Sequence, residues 1–166
     1  MQVDEAIRGR RTLKAYSDEP VVREVVAELL DLAVLAPNHH ETEPWRFWVV
    51  GRETLNALAE ATGDRKLLRS QTAIVVGVER DPDAQVAEED YAAVACAIEN
   101  FMLAARGRGL ASFWRTPGVF SRPQVARILD VPEGVRLIGM VHLGLPGEPF
   151  PPRPERSAAQ FTRWLD

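Results

Sequence analysis

Residues 84–106 read AQVAEEDYAAVACAIENFMLAAR, and the spacing of their apolar side chains decides what kind of fold the chain can build. Ala87, Tyr91, Val94, Ile98, Phe101 and Ala105 recur every three or four positions, which places them on one side of an α-helix. Ala95 and Met102 widen that stripe beyond the needs of a surface helix, so the spacing predicts a helix enclosed on most sides and central to the fold. Asp83 stands where such a helix wants its N-cap. Working outward, TAIVVGV at 72–78 is apolar throughout, as a strand buried on both faces would be. LASFW at 110–114, VRLIGMVHLG at 135–144 and the aromatic, β-branched RFWVV at 46–50 read as three further strands. Helices are expected over 3–11, 20–37, 52–62 and 121–129. Pro37 and Gly63 stop the second and third, and Ser121 with Gln124 forms a capping box for the last. Helices cluster early and strands lie scattered between them, which is an α+β arrangement rather than regular βαβ winding.

With 166 residues, 46% hydrophobic and 27% charged, the chain suits a single domain with a substantial core, spanning 1–166. A net charge of −4 argues against a nucleic-acid partner, which calls for a basic surface. No apolar run approaches the roughly eighteen residues of a membrane span, and MQVDEAIRGRR does not resemble a signal peptide. The single cysteine, Cys96, falls within the long helix and cannot form an internal disulfide, which fits a reducing, cytoplasmic setting. From about 146 to 166 the chain is Pro-rich and extended, yet it carries Phe150, Phe161, Trp164 and Leu165. A segment of that composition cannot pack on itself, so it is expected to lie across another surface, a partner subunit being the natural one.

Three stretches carry candidate chemistry. RGRRTLK at 8–14 sets four cations and a hydroxyl at a helix C-terminus. That is a solvated helix end or, since guanidinium forks match phosphate oxygens, a phosphate clamp. PNHHETEPWRF at 37–47 holds two of the three histidines. A metal would need ligands converging on one point; adjacent His39 and His40 are expected to point apart, with no further histidine or cysteine nearby, so no metal is assigned. Pro37 and Pro44 stiffen the loop, and neutral His39 offers a donor and an acceptor to a flat polar ligand. SFWRTPG at 112–118 joins an aromatic face, a guanidinium and a hydroxyl before a turn; a core tryptophan followed by a surface turn fits equally. His142, inside a strand, reads as a satisfied core histidine. RGRG at 106–109 ends a helix instead of opening one and is no dinucleotide fingerprint. No nucleophile elbow or acid/base dyad is found, so no catalytic side chain is assigned.

RRTLK at 10–14, APNHHETEPWRFWVV at 36–50 and GLASFWRTPG at 109–118, in that order, resemble the nitroreductase family of FMN-dependent oxidoreductases, particularly its short branch. The likeness runs from Ile7 to about Gly147. It implies a three-layer sandwich in which helices flank a mixed, mostly antiparallel sheet, and a homodimer with the tail exchanged and FMN at the interface. By position, Arg10, Arg11 and Thr12 are implied to contact the FMN phosphate and ribityl chain, and Lys14 the N1 and O2 edge of the flavin. His39 is implied to reach the cofactor from the other subunit, and Trp114, Arg115 and Thr116 to complete the phosphate and ribityl end. Tail residues Arg153 and Arg156 stand near the phosphate in that scheme but outside this set. The implied reaction passes hydride from NAD(P)H through flavin N5 to a nitroaromatic or quinone-like acceptor in a ping-pong cycle. Two departures stand out: Glu43 replaces a frequent Gln, and GDRKLLRSQ at 63–71 is short. These leave dehydrogenation or reductive dehalogenation of another substrate, or a non-catalytic FMN-binding module, as alternatives.

Overall fold

The computed structural model describes residues 1–165. Five α-helices and four strands alternate along it: α1 (Val3–Gly9), α2 (Arg23–Ala33), β1 (Trp45–Gly51), α3 (Arg52–Thr62), β2 (Thr72–Glu79), α4 (Ala84–Gly107), β3 (Ala111–Arg115), α5 (Pro123–Leu129) and β4 (Val135–Gly144). The strands form one sheet in the order β1-β2-β4-β3, every neighbouring pair antiparallel. The parallel component expected of a mixed sheet is a single bridge, Thr12 to Ser112, where the chain after α1 runs along the outer edge of β3.

β2 is buried from Thr72 to Val78 because it sits between two strands and under helices on both faces. Its alternating side chains feed two separate cores. Ile74, Val76 and Val78 join Val141 and Leu143 of β4 against Val26 and Leu29 of α2 and Val94, Ile98 and Phe101 of α4. Ala73 and Val75 join Met140 against Leu55 and Leu58 of α3 and Val125 and Leu129 of α5. Helices, sheet and helices therefore make the three layers.

α4 is the long enclosed helix, and Asp83 caps it by accepting from the Gln85 and Val86 backbone N–H groups at 2.8 and 3.3 Å. Val94, Ile98, Phe101, Met102 and Ala105 of the expected stripe are buried, and the stripe shifts only toward its N-terminal end. Tyr91 is exposed, with its ring under the Arg136 guanidinium, while Ala93, Ala97 and Asp90 are buried. Cys96 is exposed on the same helix. Ala97 joins the core that α4 shares with α2 and the sheet. Gly63, at φ 74°, closes α3 in the left-handed conformation that glycine adopts without penalty. The capping box expected at α5 does not form. Arg122 is the N-cap, Pro123 starts the helix, and the Ser121 hydroxyl donates instead to the Gly118 carbonyl. α1 stops at Gly9 and α2 spans less than 20–37: Val22 before it is extended, and the chain turns after Ala33.

Candidate cofactor site

α1 ends in Arg8, Gly9, Arg10 and Arg11, and its C-terminus packs against α4. Gly9 lies against the Arg106 side chain: a Cβ there would stand 2.9 Å from Arg106 Nε, and the guanidinium would have to shift. This close approach brings Arg106, from the far end of α4, beside the N-terminal cations. Arg10 Nε donates to Glu99 of α4 at 3.2 Å. Arg11 Nη1 donates to the carbonyls of Arg8 and Arg10 at 2.7 and 2.6 Å, and its Nε is buried without a partner. Arg106 lies 4.0 Å above the Phe150 ring, and its Nε is likewise unpartnered. Arg153 Nη1 donates to the Ile7 carbonyl at 2.5 Å. Desolvation, then repulsion from Arg153, Arg10 and Arg106, holds the Arg11 guanidinium below its ordinary pKa. Like charges gathered this closely, with donors left unmatched, make a receptor for an anion. A phosphate fits that donor set. Beside it a groove of about 810 Å³ runs between α1 and the tail, lined by Asp4, Ile7, Arg8, Arg153 and Arg156.

Residues 12–14 leave this cluster along β3. Leu13 is buried, so Thr12 and Lys14 on either side of it point outward. Lys14 Nζ lies 5.2 Å from the centre of the Phe113 ring, and the Arg69 guanidinium 5.6 Å from it. Beneath, Phe113 stacks on His142 at 6.1 Å. His142 is fully buried; its Nδ1–H donates to Ser70 Oγ at 2.9 Å, because the Ser70 hydroxyl itself donates to the Thr72 carbonyl. Its Nε2 has no partner among the described residues, so the core histidine is half satisfied. Burial, with Arg115 and Arg69 nearby and Asp64 opposing them, pushes His142 down to about 4.

The expected set divides in space. Arg10, Arg11, Thr12 and Lys14 form one continuous strip. Trp114 packs into the α2–α4 core, with its Nε1 2.6 Å from where a Cβ on Gly139 would stand. Arg115 turns to the other face and pairs with Asp64 at 2.8 Å, both nearly buried. Thr116 is exposed and opens on a different pocket, with Arg80, Arg122 and Arg136. Four residues of strand separate it from Ser112, the bridge partner of Thr12, a distance of about 13 Å. His39 is exposed on a turn over α4, where Nδ1 meets Glu89 Oε2 at 2.7 Å.

Two expectations need correction. His39 and His40 do not point apart; their rings stack at 3.8 Å, because His40 takes a left-handed φ of 62°. Phe150, expected to need a partner surface, is half-buried under Arg106 of its own chain. The rest of the tail does leave its apolar groups bare: Phe161, Trp164 and Leu165 are 83%, 88% and 81% exposed. Asp166 lies outside the described residues. Arg106, Arg69 and Phe113 were missed as site residues. Arg106 lies in a motif that ends a helix, Arg69 ends the short turn Arg65–Arg69 before β2, and Phe113 lies on β3, where facing neighbours are set by strand pairing.

The Nitroreductase family sequence profile matches residues 7–73 and 59–145. A protein of Archaeoglobus fulgidus carrying the provisional name NADH dehydrogenase/NAD(P)H nitroreductase is 34% identical over 147 residues, covering 84% of this chain and 83% of its own. The chloronitrobenzene nitroreductase of Comamonas testosteroni is 23% identical over 194 residues, covering 86% of each. Among solved structures, the nitroreductase-like family protein of Bacillus cereus superposes with a TM-score of 0.88 at 25% identity, over 100% of this chain and 97% of that one. An FMN- and NADPH-dependent nitroreductase, NfnB of a Sphigopyxis strain, shares the fold with a TM-score of 0.86 at 17% identity, over 100% of each chain. By the profile match over most of its length, the Archaeoglobus relative and the shared three-layer fold, the chain belongs to the nitroreductase family of oxidoreductases.

Proposed function

We propose that this protein is an FMN-dependent oxidoreductase, working as a homodimer, that takes hydride from NAD(P)H and reduces a nitroaromatic or quinone-like acceptor. The observation that carries the reading is the Arg11 guanidinium, crowded by Arg10, Arg106 and Arg153, with its Nε buried and unmatched. A phosphate there relieves the repulsion and satisfies the donors together. Thr12 adds a neutral hydroxyl at the start of the strip that leads to Lys14. FMN, when bound, supplies the two-electron chemistry that no side chain of this protein offers.

The chain's own contribution is binding and electrostatics. Lys14 and Arg69 put two cations against the Phe113 ring, and developing negative charge on a neighbouring ring system would be stabilised there, as in an oxyanion hole. Trp114 acts through the core, holding β3 against α4. Arg115 locks the same strand to the turn after α3 through Asp64. Thr116 faces a separate basic pocket. His39 presents a ring to the outside and serves the partner subunit's cofactor. The bare tail beyond Arg156 crosses to the partner, where Phe161, Trp164 and Leu165 gain cover.

The test is direct. Purified protein should carry FMN or take it up, and the flavin band should bleach anaerobically with NADH or NADPH and recover on adding a nitroaromatic. Arg11→Gln should weaken FMN binding by about 2 kcal/mol, roughly thirtyfold, since a charge-assisted contact is lost. A variant that holds FMN as tightly as the parent removes Arg11 from the phosphate site.

A further inference from the structure

Past the end of β3 the fold gathers cations that the flavin reading leaves unused. Arg80, Arg122 and Arg136 line a pocket of about 550 Å³, and no aspartate or glutamate lines it with them. We propose that this pocket binds an organic anion, a carboxylate carried on a flat apolar body.

Strand pairing and one turn bring the three arginines together. Arg136 stands opposite Val78 in the β2–β4 register, and the Arg80 backbone N–H extends that ladder by donating to the Gly134 carbonyl at 2.8 Å. Side chains two positions apart on a strand share a face, so Arg80, two past Val78, emerges on the side of Arg136. Arg122 arrives between the short turn Gly118–Ser121 and α5. The contacts that hold them are neutral. Arg122 Nη1 donates to the Thr62 carbonyl at 2.7 Å, and the Arg136 guanidinium lies 5.2 Å from the centre of the Tyr91 ring. Neither contact cancels a charge, and among the described residues none of the three arginines enters an ion pair. The acids beside Arg80 in sequence are engaged elsewhere. Glu79 pairs with Arg46, and Asp81 accepts from the Asp83 backbone N–H at 2.8 Å. In a chain of net charge −4, three like charges thus face one hollow without a counter-ion.

The walls specify the rest of the ligand. Pro117, Phe120 and Ile138 are buried residues that give the pocket apolar lining. Apolar lining with a few convergent polar groups is the usual make-up of a small-molecule site. Guanidinium forks match the paired oxygens of a carboxylate, and the apolar lining takes a planar hydrocarbon body. Inorganic phosphate would meet the arginines and leave that lining wet. The arginines are themselves exposed, so each charge is screened and binding needs the apolar contact as well. Arg80, Arg122 and Arg136 have no part in holding FMN, so the site does not depend on the flavin reading.

Naphthoate is the probe, titrated by calorimetry into the full chain with FMN saturating, so that the arginine cluster beside α1 is filled. One naphthoate per chain is expected. Its affinity should fall at least about tenfold in Arg136→Gln, and further in the double variant Arg80→Gln, Arg136→Gln, with circular dichroism checking that both variants fold. Naphthalenemethanol keeps the flat body without the charge, and inorganic phosphate keeps the charge without the body. Each should bind at least about tenfold more weakly than naphthoate. Absence of naphthoate binding overturns the site. So does binding that the double variant retains unchanged, as stacking on the flavin would produce, or phosphate binding as tight as that of naphthoate.

Discussion

His142 gives the sharpest quantitative test of the buried layer beneath Lys14 and Phe113. It is fully buried between β2 and β3, and its environment lowers it from 6.5 to about 4, chiefly by desolvation and then by Arg115 and Arg69. The native state thus refuses a proton that the unfolded chain accepts. Above pH 6.5 both states are neutral and the contribution to stability is whole. As the pH falls below 6.5 the unfolded state gains the proton first, and stability drains until the native imidazole also protonates near pH 4. Between pH 7 and 4.5 the loss from this one group comes to about 2 kcal/mol. His142→Phe keeps a flat ring between Tyr16 and Phe113 and removes the titration. Urea unfolding followed by tryptophan fluorescence, at both pH values and with FMN saturating, measures the difference. The parent should lose about 2 kcal/mol more than the variant across that interval, while carboxylate contributions cancel. If the two proteins lose stability equally, the imidazole is not held neutral by burial and the reasoning fails.

Asp64→Asn leaves the Arg115 charge nearly buried and unpaired, and should cost about 3 kcal/mol of stability in thermal or urea unfolding. Lys14→Met removes a cation beside Phe113 and should slow flavin reduction by NAD(P)H several-fold in stopped flow; unchanged rates would take Lys14 out of that role. Deleting residues from Ser157 onward removes Phe161, Trp164 and Leu165, and light scattering should then find monomer or aggregate in place of the proposed dimer of the full chain. A soluble dimer from the shortened chain would contradict tail exchange.

The sequence by itself determined the elements. Period and composition named β2 as doubly buried, α4 as the central helix, Asp83 as its cap and Gly63 as the end of α3, because each depends on residues within a few positions of one another. The order of the Arg-Arg-Thr, Pro-Asn-His and Trp-Arg-Thr motifs carried the family. What the tertiary structure decided was everything that depends on facing partners. The shift of the α4 stripe buried Asp90, Ala93 and Ala97 and left Tyr91 exposed, and the split of Trp114 from Arg115 came from strand alternation across two cores. Arg106 entered the arginine cluster because α1 packs against the far end of α4, and Glu89 met His39 because the turn after α2 lies over α4. Local propensity acts over a few residues, whereas charge, burial and ligand geometry are set by atoms that the chain brings together from fifty or a hundred positions apart.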